Sequence, residues 1–271
     1  MSLLSADLSE NEFREISHIV YDICGINLKN GKEALVRARL MKRLRALEMA
    51  SFREYIKFIN TDEGKGEIGL LIDVMTTNKT SFFREAAHFT FLRDQIIPKA
   101  NTQKMRFWTA ACSSGEEPFS LSMLLHESIP SIGRKDILIL ATDISVTMLD
   151  RARMAVYAEE TLRDLPAVYR SKYFVQVGKT QPRKFRVTDE IKSRVRLAWL
   201  NLMDSWPMKG PFNVIFCRNV MIYFDRPTQQ TLVGRFWDLL EPGGYLFVGH
   251  SEGLSSLKHR FRYIQPAIYR K

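Results

Sequence analysis

The stretch TAACSSGEEPFS, Thr109 to Ser120, follows an apolar run where nucleotide-binding folds place a glycine-rich turn, yet it holds a single glycine. Ala110, Ala111, Ser113, Ser114 and Gly115 are all small, so the backbone can approach a ligand closely without the G-x-G-x-x-G spacing. No Lys-Ser/Thr pair follows, which excludes a P-loop. Glu116 and Glu117, at the start of the next helix, repel phosphate and suit a cationic ligand. About 26 residues on, ILILATDIS puts Asp143 at a strand end, where nucleoside-binding folds hold a ribose hydroxyl. An Asp capping a helix that begins near Val146 fits the same position. Turn and acid together suit a nucleoside ligand with little phosphate, and S-adenosylmethionine is such a ligand. Further on, FNVIFCRNVMIYF runs from an apolar strand into Arg218 and Asn219 and then Tyr223.

Two kinds of element must position these groups. The first 76 residues read as helices: Ser9 with Glu12 forms a capping box ahead of Phe13, Ile16, Val20 and Ile23, and Ser51 with Glu54 repeats the signal ahead of Tyr55 and Phe58. Between them, Val36, Leu40, Leu44 and Leu47 form an apolar stripe, with Lys32, Arg39, Lys42, Arg43 and Arg45 falling mostly on the other side. That basic face is either solvated or a docking surface. A break at NTDEGKGE, Asn60 to Glu67, precedes a short helix through Met75. From about Met105, MRFWTAA, ILILATD, FNVIFCRN and GYLFVGH are strand-length apolar runs alternating with helical stretches, Phe119 to Ser128 and Thr228 to Leu240 among them. This alternation predicts a mostly parallel sheet covered on both faces, with its ligand at the carboxyl ends of the strands. Near residues 170–198, YFVQV, KFRVT and RVRLAWL alternate apolar with polar residues, which predicts a small antiparallel β excursion.

Composition sets the outer bounds. The 271 residues are 45% hydrophobic and 26% charged, and no apolar run reaches the ~20 residues of a membrane span. The N-terminal MSLLSADLSENEF lacks a basic and apolar leader, so a soluble, cytoplasmic protein is expected. Cys24, Cys112 and Cys217 are widely spaced, which argues against a disulfide framework or zinc cluster. The net charge of +10 suits an acidic partner, but it is distributed unevenly. Residues 1–76 carry 11 Lys/Arg against 12 Asp/Glu, whereas residues 170–196 carry nine basic residues and only Asp189 and Glu190 as acids.

The element order, with LLEPGGYLFVGHSE and a final strand near RYIQPAIYRK, resembles the class I (Rossmann-like) S-adenosylmethionine-dependent methyltransferase fold. Amine-methylating members often carry Asn/Asp-Pro-Pro-Tyr after the fourth strand. CRNVMIYF stands here instead, so amine methylation is not supported. MTTNKTSFFRE (Met75 to Glu85), AACSSGEEPFSLSML, ATDIS, NLMDSWP, FCRNVMIYFD and LEPGGYLFVGHSE, in this order, are similar to the chemotaxis receptor methyltransferases, the CheR family.

The resemblance covers most of the chain. It implies an all-α, receptor-docking domain over residues 1–76 and an α/β methyltransferase domain over 77–271, with a small antiparallel β-subdomain inserted at about 170–198. It further implies that S-adenosylmethionine is held by Asn78, Thr80, Arg84, Glu117, Asp143, Asn201, Leu202, Arg218 and Asn219, with no metal. Asp143 would accept from the ribose hydroxyls. Asn201 and Leu202 would border the adenine, and Asn78, Thr80 and Arg84 would face the methionine end or the incoming substrate. Tyr223 would lie near the sulfonium, and Arg84 and Tyr223 would position the reacting groups. The implied reaction is methyl transfer to glutamate carboxylates on the cytoplasmic helices of methyl-accepting chemoreceptors, leaving S-adenosylhomocysteine, with no nucleic acid and no membrane insertion involved. Arg39, Lys42 and Arg43 would dock the receptor. The family's β-subdomain can bind a receptor tail, but the hairpin here reads VGKTQPRKF, not the glycine-rich turn associated with tail-binding members.

Other patterns carry less. GHSEG, Gly249 to Gly253, fits the G-x-S-x-G nucleophile pattern, but no acid follows Glu252 and only His259 remains downstream. His18, His88, His126, His250 and His259 show no metal-ligand spacing. Met75, Phe82, Phe83 and Phe89 read as core. A nucleic-acid methyltransferase on the same fold would use the basic excursion, yet Tyr173, Phe174, Phe185 and Trp199 do not form an obvious stacking platform. A non-catalytic signalling module is opposed by the presence of Asn78, Arg84, Asp143 and Tyr223 together.

Overall fold

A computed structural model describes residues 7–29, 31–179 and 181–271. The first six residues of the N-terminal segment, and Thr180 of the VGKTQPRKF hairpin, lie outside the described residues.

The capping box folds as its residue types dictate. Ser9 N–H donates to Glu12 Oε2 at 2.8 Å and Glu12 N–H donates to Ser9 Oγ at 3.3 Å, opening α1 (Glu10–Cys24). Phe13, Ile16, Val20 and Cys24 form its buried face, with Ile23 only half-buried. α2 (Glu33–Ala46) buries Val36, Leu40, Met41 and Leu44, and Leu47 caps it half-buried. Ser51 Oγ accepts from Glu54 N–H at 3.2 Å at the start of α3 (Phe52–Ile59), and α4 (Lys65–Met75) completes the helical unit.

The basic face of α2 is smaller than its sequence suggests. Arg43 Nε and Nη2 donate to Glu67 Oε1 and Oε2 at 2.7 and 2.8 Å, and Tyr55 OH donates to the same carboxylate at 3.0 Å. Arg39 donates to the Met75 carbonyl and, at 2.7 Å, to Thr77 Oγ1. Both long side chains reach across to α4 and the segment after it, which a helical wheel does not show. Lys32, Lys42 and Arg45 are exposed.

After α5 (Ala86–Phe91), five parallel strands build most of a seven-stranded sheet: β1 (Lys104–Ala110), β2 (Asp136–Asp143), β6 (Val195–Trp199), β7 (Phe212–Cys217) and β8 (Leu240–Val248). β9 (Arg262–Gln265) and β10 (Ile268–Arg270) close it as an antiparallel hairpin, giving the order β6-β2-β1-β7-β8-β10-β9. α6 (Glu116–Ser128), α7 (Val146–Met154) and α10 (Arg226–Leu239) cross over between strands. The order reverses between β1 and β7, so the crevice at their carboxyl ends is the place this topology offers a ligand.

A separate antiparallel sheet holds β3 (Val156–Ala158), β5 (Lys184–Val187) and β4 (Phe174–Val177), in that order, with α8 (Ala167–Tyr173) and α9 (Asp189–Lys192) beside it. This corrects the expected extent of the excursion. RVRLAWL supplies β6, which pairs parallel to β2 from Ile139↔Val195 to Asp143↔Trp199, and the third strand of the small sheet comes from upstream. An edge strand of a parallel sheet is half-exposed and alternates much as an antiparallel strand does, and a three-residue strand is too short to show a period.

The two folding units share a core. Asn201 Nδ2 donates to the Ile23 carbonyl at 2.7 Å, Tyr21 OH donates to Asp225 Oδ2 at 2.7 Å, and Asn27 N–H donates to the Tyr223 carbonyl at 2.8 Å. Gly25, at φ +72°, ends α1 against Met203, whose Sδ lies 2.6 Å from where a β-carbon would be. The end of α1 is thereby held beside the carboxyl ends of the sheet strands. Among the described residues, no helix is long and apolar enough to cross a membrane.

Candidate active site

The turn after β1 answers the missing glycines. Ala111, Ser113 and Gly115 adopt left-handed φ values of +63°, +51° and +98°. For the two non-glycine residues this costs roughly 1–2 kcal/mol each, which small side chains keep near the minimum. Cys112 N–H donates to the Thr142 carbonyl at 2.9 Å, Ser113 N–H to Asp143 Oδ2 at 2.7 Å and Ser113 Oγ to the Asn78 carbonyl at 3.0 Å. Position 115 admits only glycine, because a β-carbon would stand 2.8 Å from Phe119 and 3.0 Å from Ala152 and the Tyr157 hydroxyl.

Asp143 is 5% exposed and is not the helix cap. Ser145 is the cap, its Oγ accepting from Met148 N–H at 3.1 Å, while Asp143 Oδ1 accepts from Ser145 N–H at 2.9 Å. Burial pushes the Asp143 carboxyl up, partly offset by the N–H groups of Ser145 and Ser113. Each oxygen retains a lone pair.

Asn78, Thr80, Arg84, Glu117, Asp143, Asn201, Leu202, Arg218, Asn219 and Tyr223 all line one cleft at the carboxyl ends of the strands. Cys24, Ile26 and Met75 of the helical unit complete its wall. Of the adjoining acids, Glu117 faces the cleft, whereas Glu116 is buried and accepts from Ser114 Oγ at 2.7 Å. Arg84 is half-buried, its Nη1 donating to the Lys79 carbonyl at 2.8 Å. Lys42 and Arg43 lie outside the cleft lining on α2, whereas Arg39 reaches the cleft rim through its bonds to Met75 and Thr77.

Arg218, with a side chain 2% exposed, organises the floor. Its Nη1 pairs with Glu117 Oε2 at 2.9 Å, its Nη2 with Glu85 Oε2 at 3.1 Å, and Nη2 also donates to the Arg84 carbonyl. Burial works against the ionised form of both carboxylates. At Glu85, Arg218 and the Asn219 amide outweigh it and hold the carboxyl below its usual range. At Glu117 burial prevails over Arg218, and the carboxyl stands above it. A further cation in the cleft would act with Arg218 to offset that burial.

Sequence reasoning left two of these carboxylates unassigned. Glu85 lies inside the FFRE stretch, directly after Arg84, and it sits at φ +57°, an outlier worth about 1–3 kcal/mol that marks an over-determined site. Glu252 lies in GHSEG, where the nucleophile spacing draws attention to Ser251 instead.

The fold also gathers histidines that are far apart in sequence. Ligand-type atoms of Glu85, His88 and His250 lie within 4.8 Å of one another, although the Glu85 carboxylate already faces Arg218. His88 is fully buried, packed edge-on to Phe247 and His250, and neither ring nitrogen has a hydrogen-bond partner among the described residues. Burial, reinforced by Arg218, lowers its pKa to about 3. The unfolded chain binds this proton near 6.5 and the folded chain does not, so stability is full above that pH and is lost as pH falls toward 3. Between pH 7.5 and 5.0 wild type should lose about 2 kcal/mol more than His88→Phe in urea melts. Parallel losses in the two proteins would refute the assignment.

A parallel sheet with its ligand cleft at the β1/β7 reversal, a small-residue turn and a buried acid after β2 define a class I S-adenosylmethionine-dependent methyltransferase fold. Residues 78–269 match the CheR methyltransferase SAM-binding domain and residues 11–76 match the CheR methyltransferase all-alpha domain. The chain belongs to the CheR methyltransferase family. It is 39% identical to the chemotaxis protein methyltransferase of Borreliella burgdorferi, over 99% of this chain and 96% of that protein. It is also 39% identical to the chemotaxis protein methyltransferase of Escherichia coli, over 97% and 91%. A probable chemotaxis protein methyltransferase of Rhizobium etli is 40% identical, over 93% and 96%.

Proposed function

We propose that this protein methylates glutamate side-chain carboxylates on the cytoplasmic helices of methyl-accepting chemoreceptors, using S-adenosylmethionine and leaving S-adenosylhomocysteine. The observation that carries this reading is the convergence of all nine cofactor residues implied by the family motifs, with Tyr223, on one cleft at the sheet reversal.

The residues present suit the cofactor. Asp143 offers a free lone pair on each oxygen to ribose hydroxyls, the Glu117 carboxylate faces the cleft where an ammonium group would add to Arg218, and the turn at Ala111 to Gly115 carries only small side chains beside a nucleoside. S-adenosylmethionine supplies a methyl group on a sulfonium, whose sulfur takes the bonding electron pair as the carboxylate oxygen bonds to the methyl carbon. A glutamate side chain ordinarily titrates at ~4.3 and is already ionised at neutral pH, so no side chain of the cleft has to remove a proton. What the protein supplies is alignment and exclusion of water, which can contribute several kcal/mol. Arg84 orients the incoming carboxylate. Tyr223 lines the same cleft, and its ring would stabilise the sulfonium by about 0.5–2 kcal/mol.

If the ring face is what matters, Tyr223→Phe should hold kcat within about 3-fold, while Tyr223→Ala lowers it by about 3- to 30-fold. Equal losses in both variants would assign the effect to the hydroxyl. For docking, the exposed Lys42 is the strongest of the three α2 candidates, since Arg39 and Arg43 hold α4 and its exit.

Against nucleic acid as substrate, Tyr173, Phe174 and Phe185 are buried, and much of the local basic excess is paired. Arg170 and Arg183 meet Glu159 at 2.6 and 2.8 Å, and Lys172 meets Glu127 at 2.7 Å. The deciding experiment transfers labelled methyl to a purified acidic receptor fragment and then applies mild alkali. Release of the label as methanol is expected for a carboxyl ester. Alkali-stable label would indicate nitrogen methylation, and cofactor binding without transfer to any receptor would favour a signalling module.

A further inference from the structure

The GHSEG stretch has the spacing of a nucleophile elbow and a different task. Glu252, 6% exposed, turns its carboxylate back toward the ends of two strands. Oε2 accepts from Gly249 N–H and from Asn219 N–H, both at 2.6 Å, and Oε1 accepts from Ile222 N–H at 3.1 Å. One carboxylate thus joins the turn after β8 to the loop after β7.

That loop, residues 218–224, supplies Arg218, Asn219, Val220, Tyr223 and Phe224 to the cleft wall, yet Glu252 is not part of the wall. Asn219 holds a left-handed φ of +59°, which a free loop would relax. Gly249 is fitted to the same joint: a β-carbon there would lie 2.6 Å from Asn219 Nδ2 and from Glu252 Oε2, and 2.9 Å from Asn219 N. The converging groups are all N–H donors, so only an acceptor on both arms satisfies them. A glutamine would aim its own amide hydrogens at one donor.

We propose that Glu252 is a positioning residue that holds the loop of residues 218–224 in the shape the cofactor requires, with Gly249 making room for it. The proposal rests on the reading of this cleft as the S-adenosylmethionine site.

The test is calorimetric binding of S-adenosylhomocysteine to wild type, Glu252→Gln and Leu162→Ala. Leu162 is fully buried outside the cleft lining and controls for a general loss of stability. Glu252→Gln should raise Kd at least ~10-fold, and Leu162→Ala should leave it within about 2-fold. Equal changes in the two variants, or none in Glu252→Gln, would overturn the proposal, whereas a wild type that binds no S-adenosylhomocysteine would overturn the cleft reading instead. If Glu252→Gln does not fold, hydrogen exchange on the wild-type chain decides: the Asn219, Ile222 and Gly249 amides should exchange as one unit and slow together on binding. Independent exchange of the three would contradict the joint.

Discussion

Arg218→Met is expected to cost about 3–5 kcal/mol of folding stability and to bring methyl transfer below detection. The side chains are similar in length, so packing changes little. What changes is charge. Glu85 and Glu117 would remain in a desolvated floor without the guanidinium that stands 3.1 and 2.9 Å from them. Two carboxylates sharing a buried site without a cation cannot both stay ionised comfortably. The pH dependence gives the mechanism a signature. In wild type Glu85 is held below its usual range, so its contribution is present above the unfolded pKa and is lost as pH falls through the folded one. In the variant burial is opposed only by the remaining partners, the Asn219 amide at Glu85 and Arg84 at Glu117, so both folded pKa values rise and acidification disfavours the folded state less than in wild type. Loss of Arg218 also relieves His88, which it disfavours protonating, and this acts in the same direction. The stability gap between wild type and variant should therefore be widest near pH 7.5 and narrow toward pH 5.0 in urea melts. A gap independent of pH would mean that the guanidinium acts by packing.

The same cluster shows where sequence stops being informative. Local grammar carried the helix starts, because Ser9 with Glu12 and Ser51 with Glu54 bond within three residues, and the structure makes both contacts. It carried the turn after β1 as well, since a run of small residues lets the backbone come close to a ligand whatever lies far along the chain. Motif order then pointed to the cleft residues, which lie on five separated stretches of chain. Long-range pairing was beyond reach. Arg43 looked free because Glu67 lies 24 residues away, and β6 looked antiparallel because its partner is identified only by the sheet. GHSEG was set aside because no acid follows Glu252, when the groups that Glu252 serves are backbone N–H donors that no sequence pattern displays. The side chains facing the cleft were legible, while those that shape the backbone behind them were not.

Asp143→Ala should weaken S-adenosylhomocysteine binding on the order of 10²- to 10⁴-fold. The carboxylate is fixed by one backbone N–H on each oxygen, from Ser113 at 2.7 Å and Ser145 at 2.9 Å, and its direction is set before any ligand arrives. Each remaining lone pair can take one ribose hydroxyl, and a hydrogen bond to a charged group contributes about 1.5–3 kcal/mol. Losing two gives the stated range, at a factor of ten per ~1.4 kcal/mol. Alanine also leaves the N–H groups of Ser113 and Ser145 without their acceptor, which loosens the turn at the ligand. Asparagine separates the two effects. It keeps one acceptor oxygen but presents amide hydrogens to the other N–H, so its Kd should lie between wild type and alanine. A residue that only holds the cofactor acts on Kd and on the KM for S-adenosylmethionine, leaving kcat at saturation within several-fold in Asp143→Asn. A Kd change below about 5-fold in Asp143→Ala would remove Asp143 from the ribose. A collapse of kcat at saturating cofactor in a folded Asp143→Asn would instead show that the turn it braces aligns the methyl group, placing this acid in the reaction geometry itself.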